Sequence, residues 1–186
     1  YNYRLCLTKR QGNKLPIPRP KGYDPRTYAT ILFDLGQRHL RLSEILSLGR
    51  LPNDKFDVNN HGYARQSTDL PEANYNYPDA TPEARAAVAR QIKDYIIGLL
   101  YFLQNDPRLP SQFRSEARQW GLARDEFADS GHFPPQLYIR EARRIIGLYT
   151  FSENDARPDP SLGRTIPKPD SIACGDYAMD SHATQK

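Results

Sequence analysis

One run of this chain leaves little choice about its conformation. Within residues 81–105, Val88, Ile92, Ile96, Leu99, Leu100 and Leu103 fall on one face of an α-helix. Thr81 supplies a capping hydroxyl, Pro82 suits the first helical position, and Glu83 complements the positive end of the dipole. Pro107 cannot continue the run. The pattern predicts a helix over 82–105 with its stripe buried. A shorter helix is expected over 111–120, stopped by Gly121, so that Asn105–Pro110 links an αα-hairpin. A third is expected over 25–36, where Asp24 caps, Pro25 starts, and Tyr28, Ile31, Leu32 and Leu35 share a face.

The remainder reads differently. Tyr1–Thr8 (YNYRLCLT) alternates with period two, as a strand does. Residues 9–25 carry prolines that fix φ and remove donors, which makes them a loop. Residues 42–48 are a short apolar stretch closing at Gly49. Residues 49–80 are rich in Asn, Asp, Gly and Pro, and read as an unusually long functional loop. Its Tyr63, Tyr75 and Tyr77 argue against simple disorder. Residues 136–151 fit neither helical nor alternating spacing cleanly, but Gly147, Tyr149, Thr150 and Phe151 favour an extended run. Ser152 then caps a short turn, a proline-rich loop follows over 156–170, and Ser171–Asp180 returns as a strand. The expected fold is α+β, in one domain over 1–186. Its small antiparallel sheet is expected to form from Tyr1–Thr8, about Tyr138–Phe151, and Ser171–Asp180, packed with the helical hairpin.

Composition removes several function classes. The net charge of +4 is spread through the chain without a Lys/Arg run, which argues against a nucleic-acid partner. No apolar run reaches the roughly 18 residues of a membrane helix. Four histidines have no zinc-like spacing, so no metal is expected. Cys6 and Cys174 lie at opposite ends; they could pair if the ends meet, but buried free thiols are the favoured reading, and the compartment stays open between cytoplasm and periplasm. Twelve tyrosines offer amphipathic rings for a core periphery, an interface or a sugar, and Tyr75 and Tyr77 are the candidate substrate-facing pair.

Three groups of side chains can carry chemistry. His182 can act as a general base or hydrogen-bond donor, or be an ordinary exposed residue near a chain end. Arg140 and Arg144 would share one face of a strand, where two guanidinium forks can clamp a carboxylate or phosphate. The alternative for them is salt bridging to the carboxylates of 125–129 and 153–159. The loop from Asn59 to Arg65 gathers Asn, His, Tyr and Arg, the residue types a polysaccharide lyase uses to neutralise a carboxylate and move a proton. No Gly-x-Gly-x-x-Gly loop, which lets a dinucleotide pyrophosphate approach a helix start, occurs anywhere.

Taken in order, YNYRLCLT, Gly22–Pro25, Leu51–Lys55, Ser67–Asp69, Asn74–Pro78, Gly98–Leu103, Trp120–Leu122, Arg140–Arg144 and Met179–His182 resemble a family of bacterial FAD-dependent oxidoreductases. Some members carry the label xanthan lyase. The resemblance spans essentially the whole chain. It implies an interior, substrate-side segment of a larger flavoprotein, whose dinucleotide-binding parts lie outside these residues and contact them. It implies that Arg4, Arg140 and His182 face the flavin or a hydroxyl- or sugar-bearing substrate. FAD is then expected in the parent protein and not in the isolated chain. The other readings are a carbohydrate-active protein, either a lyase or a tyrosine-lined binding module, and a helical interaction domain.

Overall fold

A computed structural model of the chain describes residues 1–140, 142–143 and 145–175. The chain divides into two compact units, Tyr1–Ala142 and Arg143–Lys186. The first holds a five-stranded antiparallel sheet and the principal helices, an α+β arrangement.

The strands are β1 (Leu5–Thr8), β2 (Lys14–Leu15), β3 (Leu46–Leu51), β4 (Lys55–Asn60) and β5 (Gly121–Ala123). Their order in the sheet is β2-β5-β1-β4-β3. Every pairing is antiparallel, with Leu5 opposite Val58 and Cys6 opposite Asp57 at the centre. Strand β5 passes so close to β2 that a Cβ on Gly121 would collide with the Leu15 carbonyl, so only glycine fits there.

The helices are α1 (Ala29–Arg38), α2 (Leu42–Ile45), α3 (Pro82–Asn105) and α4 (Ser111–Ala117). Helix α3 has the bounds its stripe predicts, and the Thr81 hydroxyl accepts from the Ala84 amide at 3.3 Å. Ile92, Ile96, Leu99 and Leu103 are buried with Leu5 and Leu7 of β1 and Val58 of β4. The expected helix over 25–36 is split. Pro25–Tyr28 forms a 3-10 turn capped by Asp24, and α1 continues to Arg38. The αα-hairpin of α3 and α4 is present, closed by the buried Gln104 amide donating to the Ala117 and Trp120 carbonyls at 3.1 and 2.9 Å.

The strands themselves are a correction. Residues 49–80 are not one long loop, because β3 and β4 form a hairpin within and before them. Asn53 and Asp54 take left-handed φ of 61° and 57°, the geometry that short hairpin turns require. The hairpin hides from apolar patterning because most of its side chains are half-buried or exposed. The expected strand at Tyr138–Phe151 is absent among the described residues. Tyr138 makes one isolated bridge, its amide donating to the Asn2 carbonyl at 2.8 Å, and the other described residues of the run join no ladder among the described residues. Ser171–Gly175 joins no strand ladder among the described residues, and residues 176–180 lie outside them.

The rest of 61–80 is tied down by buried polar groups. The buried Asp34 carboxylate accepts from the Arg65 amide at 2.7 Å. The Ser67 hydroxyl accepts from the His61 amide at 3.0 Å, and the Tyr95 hydroxyl donates to the Ser67 carbonyl at 3.0 Å. These bonds give an irregular stretch a fixed path.

The second unit has one short helix, α5 (Glu153–Ala156), with Ser152 and Asp155 forming a capping box. Asp155 also accepts from Lys168 at 2.6 Å and from the Tyr149 hydroxyl. Those bonds hold its carboxyl well below the usual range. None of this unit's described residues is buried.

Candidate functional site

Side chains alternate across a strand, so β1 sends Leu5 and Leu7 to the helices and Cys6 and Thr8 to the other face. Their register partners Asp57 and Lys55 lie on that same face. It is the polar face of the sheet, and the turn-rich segment after β5 is pinned against it. Lys55 is the pin. Its ammonium donates to Asp125 at 3.0 Å and also to Glu126. Those carboxylates raise the Lys55 pKa, with Glu126 the larger cause. Asp125 is held below its usual range by Asn13, which donates at 2.7 Å, and by Lys55.

Arg4 precedes β1 and uses its fork on Asp57, with Nε at 3.0 Å and Nη2 completing a bidentate pair. That bond raises the Arg4 pKa. Cys6 sits beside the pair, and burial pushes its thiol up to about 11. Two guanidinium groups approach the Tyr138 ring, Arg4 at 5.6 Å from its centroid and Arg140 at 4.9 Å. Both distances suit a cation facing an aromatic ring.

Two open clefts meet at Arg4. One, of about 440 Å³, is lined by Cys6, Lys55, Asp57, Glu126 and Phe127 among others. The second, of about 530 Å³, is lined by Phe127, Pro134, Pro135, Leu137, Tyr138 and Ile139. Each is of the size that holds a small ligand.

The structure therefore brings Arg4 and Arg140 to one place. Tyr75 is exposed, and Tyr77 stacks edge-on to Tyr1 at 5.4 Å with Arg85 over its ring at 5.5 Å. Neither is among the described lining of the two clefts. Arg144 and His182 lie outside the described residues. In the loop from Asn59 to Arg65, Asn59 accepts from Asn2 at 2.6 Å, His61 stacks on Tyr63, and Arg65 covers the Phe33 ring at 4.2 Å. Cys174 is exposed, contrary to the expectation of two buried thiols. Sequence reasoning missed Phe127, Tyr138, Asp57 and Lys55. A signal existed for Lys55 and Asp57, which alternate as i and i+2 along a strand, but the strand itself went unread.

The FAD dependent oxidoreductase family model matches residues 1–186. The chain belongs to the FAD-dependent oxidoreductase family. No curated protein and no solved structure matches it. Membership makes FAD the cofactor expected in the parent protein and oxidation–reduction its chemistry.

Neither of the two longest helices of this FAD-dependent oxidoreductase offers a dinucleotide pyrophosphate an open first turn. A pyrophosphate needs bare amides at a helix start. At the start of α3, Thr81 already caps the Ala84 amide, Pro82 has no N–H, and Glu83 places a carboxylate in the first turn. Helix α1 continues directly from a 3-10 turn, without an open first turn.

Proposed function

We propose that this chain is the substrate-side domain of a bacterial FAD-dependent oxidoreductase that acts on a hydroxyl- or sugar-bearing compound. The observation that supports this reading is the pair of clefts that meet at Arg4, in a chain of this family whose two longest helices leave no open first turn for a pyrophosphate. The work assigned to these residues is binding and orientation. Arg4 and Arg140 both approach the Tyr138 ring, and the Lys55 clamp holds the segment before Phe127 against the sheet. His182 is the proton acceptor, and Arg144, Tyr75 and Tyr77 are further substrate contacts. The FAD-binding part of the same parent chain is the partner. The exposed Ile145, Ile146 and Leu148 supply apolar surface for that contact.

The test uses the FAD-loaded parent protein. Anaerobic addition of a sugar or polyol should abolish the oxidised flavin's visible absorbance. In His182→Ala the rate should fall by roughly 10²–10⁴-fold, the range for a positioned acid or base. Arg140→Ala should mainly raise KM, and Arg140→Lys should restore little because the fork is lost. Reduction within about twofold of the unaltered protein for His182→Ala would remove that residue from the mechanism. An absorbance rise from an unsaturated uronate, without flavin reduction, would select the lyase reading suggested by the xanthan lyase label.

A further inference from the structure

The two clefts share Arg4 and Phe127, so both residues stand where the clefts adjoin, and the two are taken together as one groove. Phe127 is held there at a conformational cost. Its φ of 50° is left-handed, a region that aromatic residues seldom occupy. Neighbouring bonds enforce it. The Phe127 carbonyl accepts from the Ser130 amide at 3.0 Å and the His132 amide at 2.8 Å, while Lys55 clamps Asp125 and Glu126 just before it. Backbone strain of this kind concentrates at ligand clamps. The ring therefore stands where a sheet floor on one side and a proline-walled slot on the other both reach it.

The charges of the floor decide what can enter. Arg4 and Lys55 face Asp57, Asp125 and Glu126, two cations against three carboxylates. Arg140, beside Tyr138, is the third cation among the described residues here, set against those three carboxylates. A carboxylate entering this groove would have to take Arg4 from a bidentate partner it already holds, and would meet Glu126 and Asp57 on the way. An uncharged hydroxyl compound meets no such penalty. It can lay a ring face on Phe127 or Tyr138 and hydrogen-bond to the paired ions without separating them.

We propose that this groove binds an uncharged, ring-bearing hydroxyl compound of the glycoside class and discriminates against its carboxylate counterpart, with Phe127 as the specificity-determining side chain. The proposal rests on the substrate-side reading above and names the substrate class for it. It sets aside the alternative in which the arginines clamp an anion.

Phenyl β-D-glucoside and phenyl β-D-glucuronide differ at one carbon, a hydroxymethyl against a carboxylate, and serve as matched probes. Binding of each to the 186-residue chain is measured by ligand-observed NMR and calorimetry. The glucoside should bind about tenfold more tightly. Phe127→Ala should weaken glucoside binding about 2–10-fold, the equivalent of one lost stacking contact. Asp57→Asn, which frees Arg4, should narrow or reverse the preference, an outcome that a merely structural Asp57 would not produce. Glu126→Gln is the second variant if Asp57→Asn fails to fold, and should move the preference the same way. Equal or tighter binding of the glucuronide by the unaltered chain overturns the proposal, as does failure of both probes to bind. Neither result touches the redox reading, which stands or falls on flavin reduction in the parent protein.

Discussion

Gly98 shows how a single residue can fix a packing arrangement. It lies inside α3, where glycine is ordinarily unfavourable by about 1 kcal/mol relative to alanine. The reason it is there is Tyr28. The buried Tyr28 hydroxyl donates to the Tyr95 carbonyl at 2.9 Å, and a Cβ on Gly98 would occupy the place of that hydroxyl. Steric overpacking of about 1–3 kcal/mol should outweigh the helix-propensity gain, so Gly98→Ala should lower stability in denaturant titration. Tyr28→Phe in the same background should recover part of the loss. A net stabilisation by Gly98→Ala alone would show that the ring moves aside freely. Cys6 offers a second residue-scale test. With its thiol pushed up to about 11 by burial, only about one molecule in a thousand carries the reactive thiolate at pH 8. Disulfide-exchange labelling of the native protein at pH 8 should modify the exposed Cys174 quickly and Cys6 only slowly. Two equally fast thiols would mean that the polar face of β1 is open.

Among the elements, α3 was fully legible and the sheet was not, and the difference is physical. A 24-residue helix whose stripe is buried repeats one pattern many times over. Strands of two to six residues repeat theirs once or twice, and β4 has only Lys55 and Val58 buried. The aliphatic part of Lys55 is covered while its ammonium reaches two carboxylates, so a charged residue occupies a place where sequence patterning looks for an apolar one. The opposite error occurred at 138–151. That stretch is rich in strand-forming residues, yet Ile145, Ile146 and Leu148 are fully exposed. Propensity describes a side chain that fits a pleated surface, and no such surface is paired with it among the described residues. For the site, Arg4 was named through the family resemblance and Arg140 through a strand that does not form, so their common approach to Tyr138 was not readable from spacing. Phe127 was not readable either, because its role comes from a left-handed turn that its own sequence does not favour. The test at this scale is α3 itself. Leu99→Ala or Ile96→Ala should each cost about 2–5 kcal/mol, measured by chemical denaturation, because both side chains are fully buried. A loss under about 0.5 kcal/mol at both would contradict that burial.

For the molecule as a whole, protection should follow the division into two units. Every described residue with a buried side chain lies in the first unit, and the second is held by its own capping box and by the Asp155–Lys168 pair. An ion pair with its ammonium open to solvent contributes little to stability, with a median of about 0–1 kcal/mol for surface pairs. Amides of β1, β4 and the apolar half of α3 open only when the sheet separates from the helices, so they should exchange with solvent most slowly. Amides in 145–175 have no buried apolar contact to break and should exchange fastest. Native-state hydrogen exchange read by mass spectrometry separates the two classes in one experiment. The same measurement on the FAD-loaded parent adds a second comparison. If the exposed Ile145, Ile146 and Leu148 meet the FAD-binding part of that chain, protection over 145–151 should appear only there. Strong protection of 145–151 in the isolated chain would mean that the segment already has an apolar partner within these residues. Equally fast exchange in both proteins would remove it from the contact between the two parts.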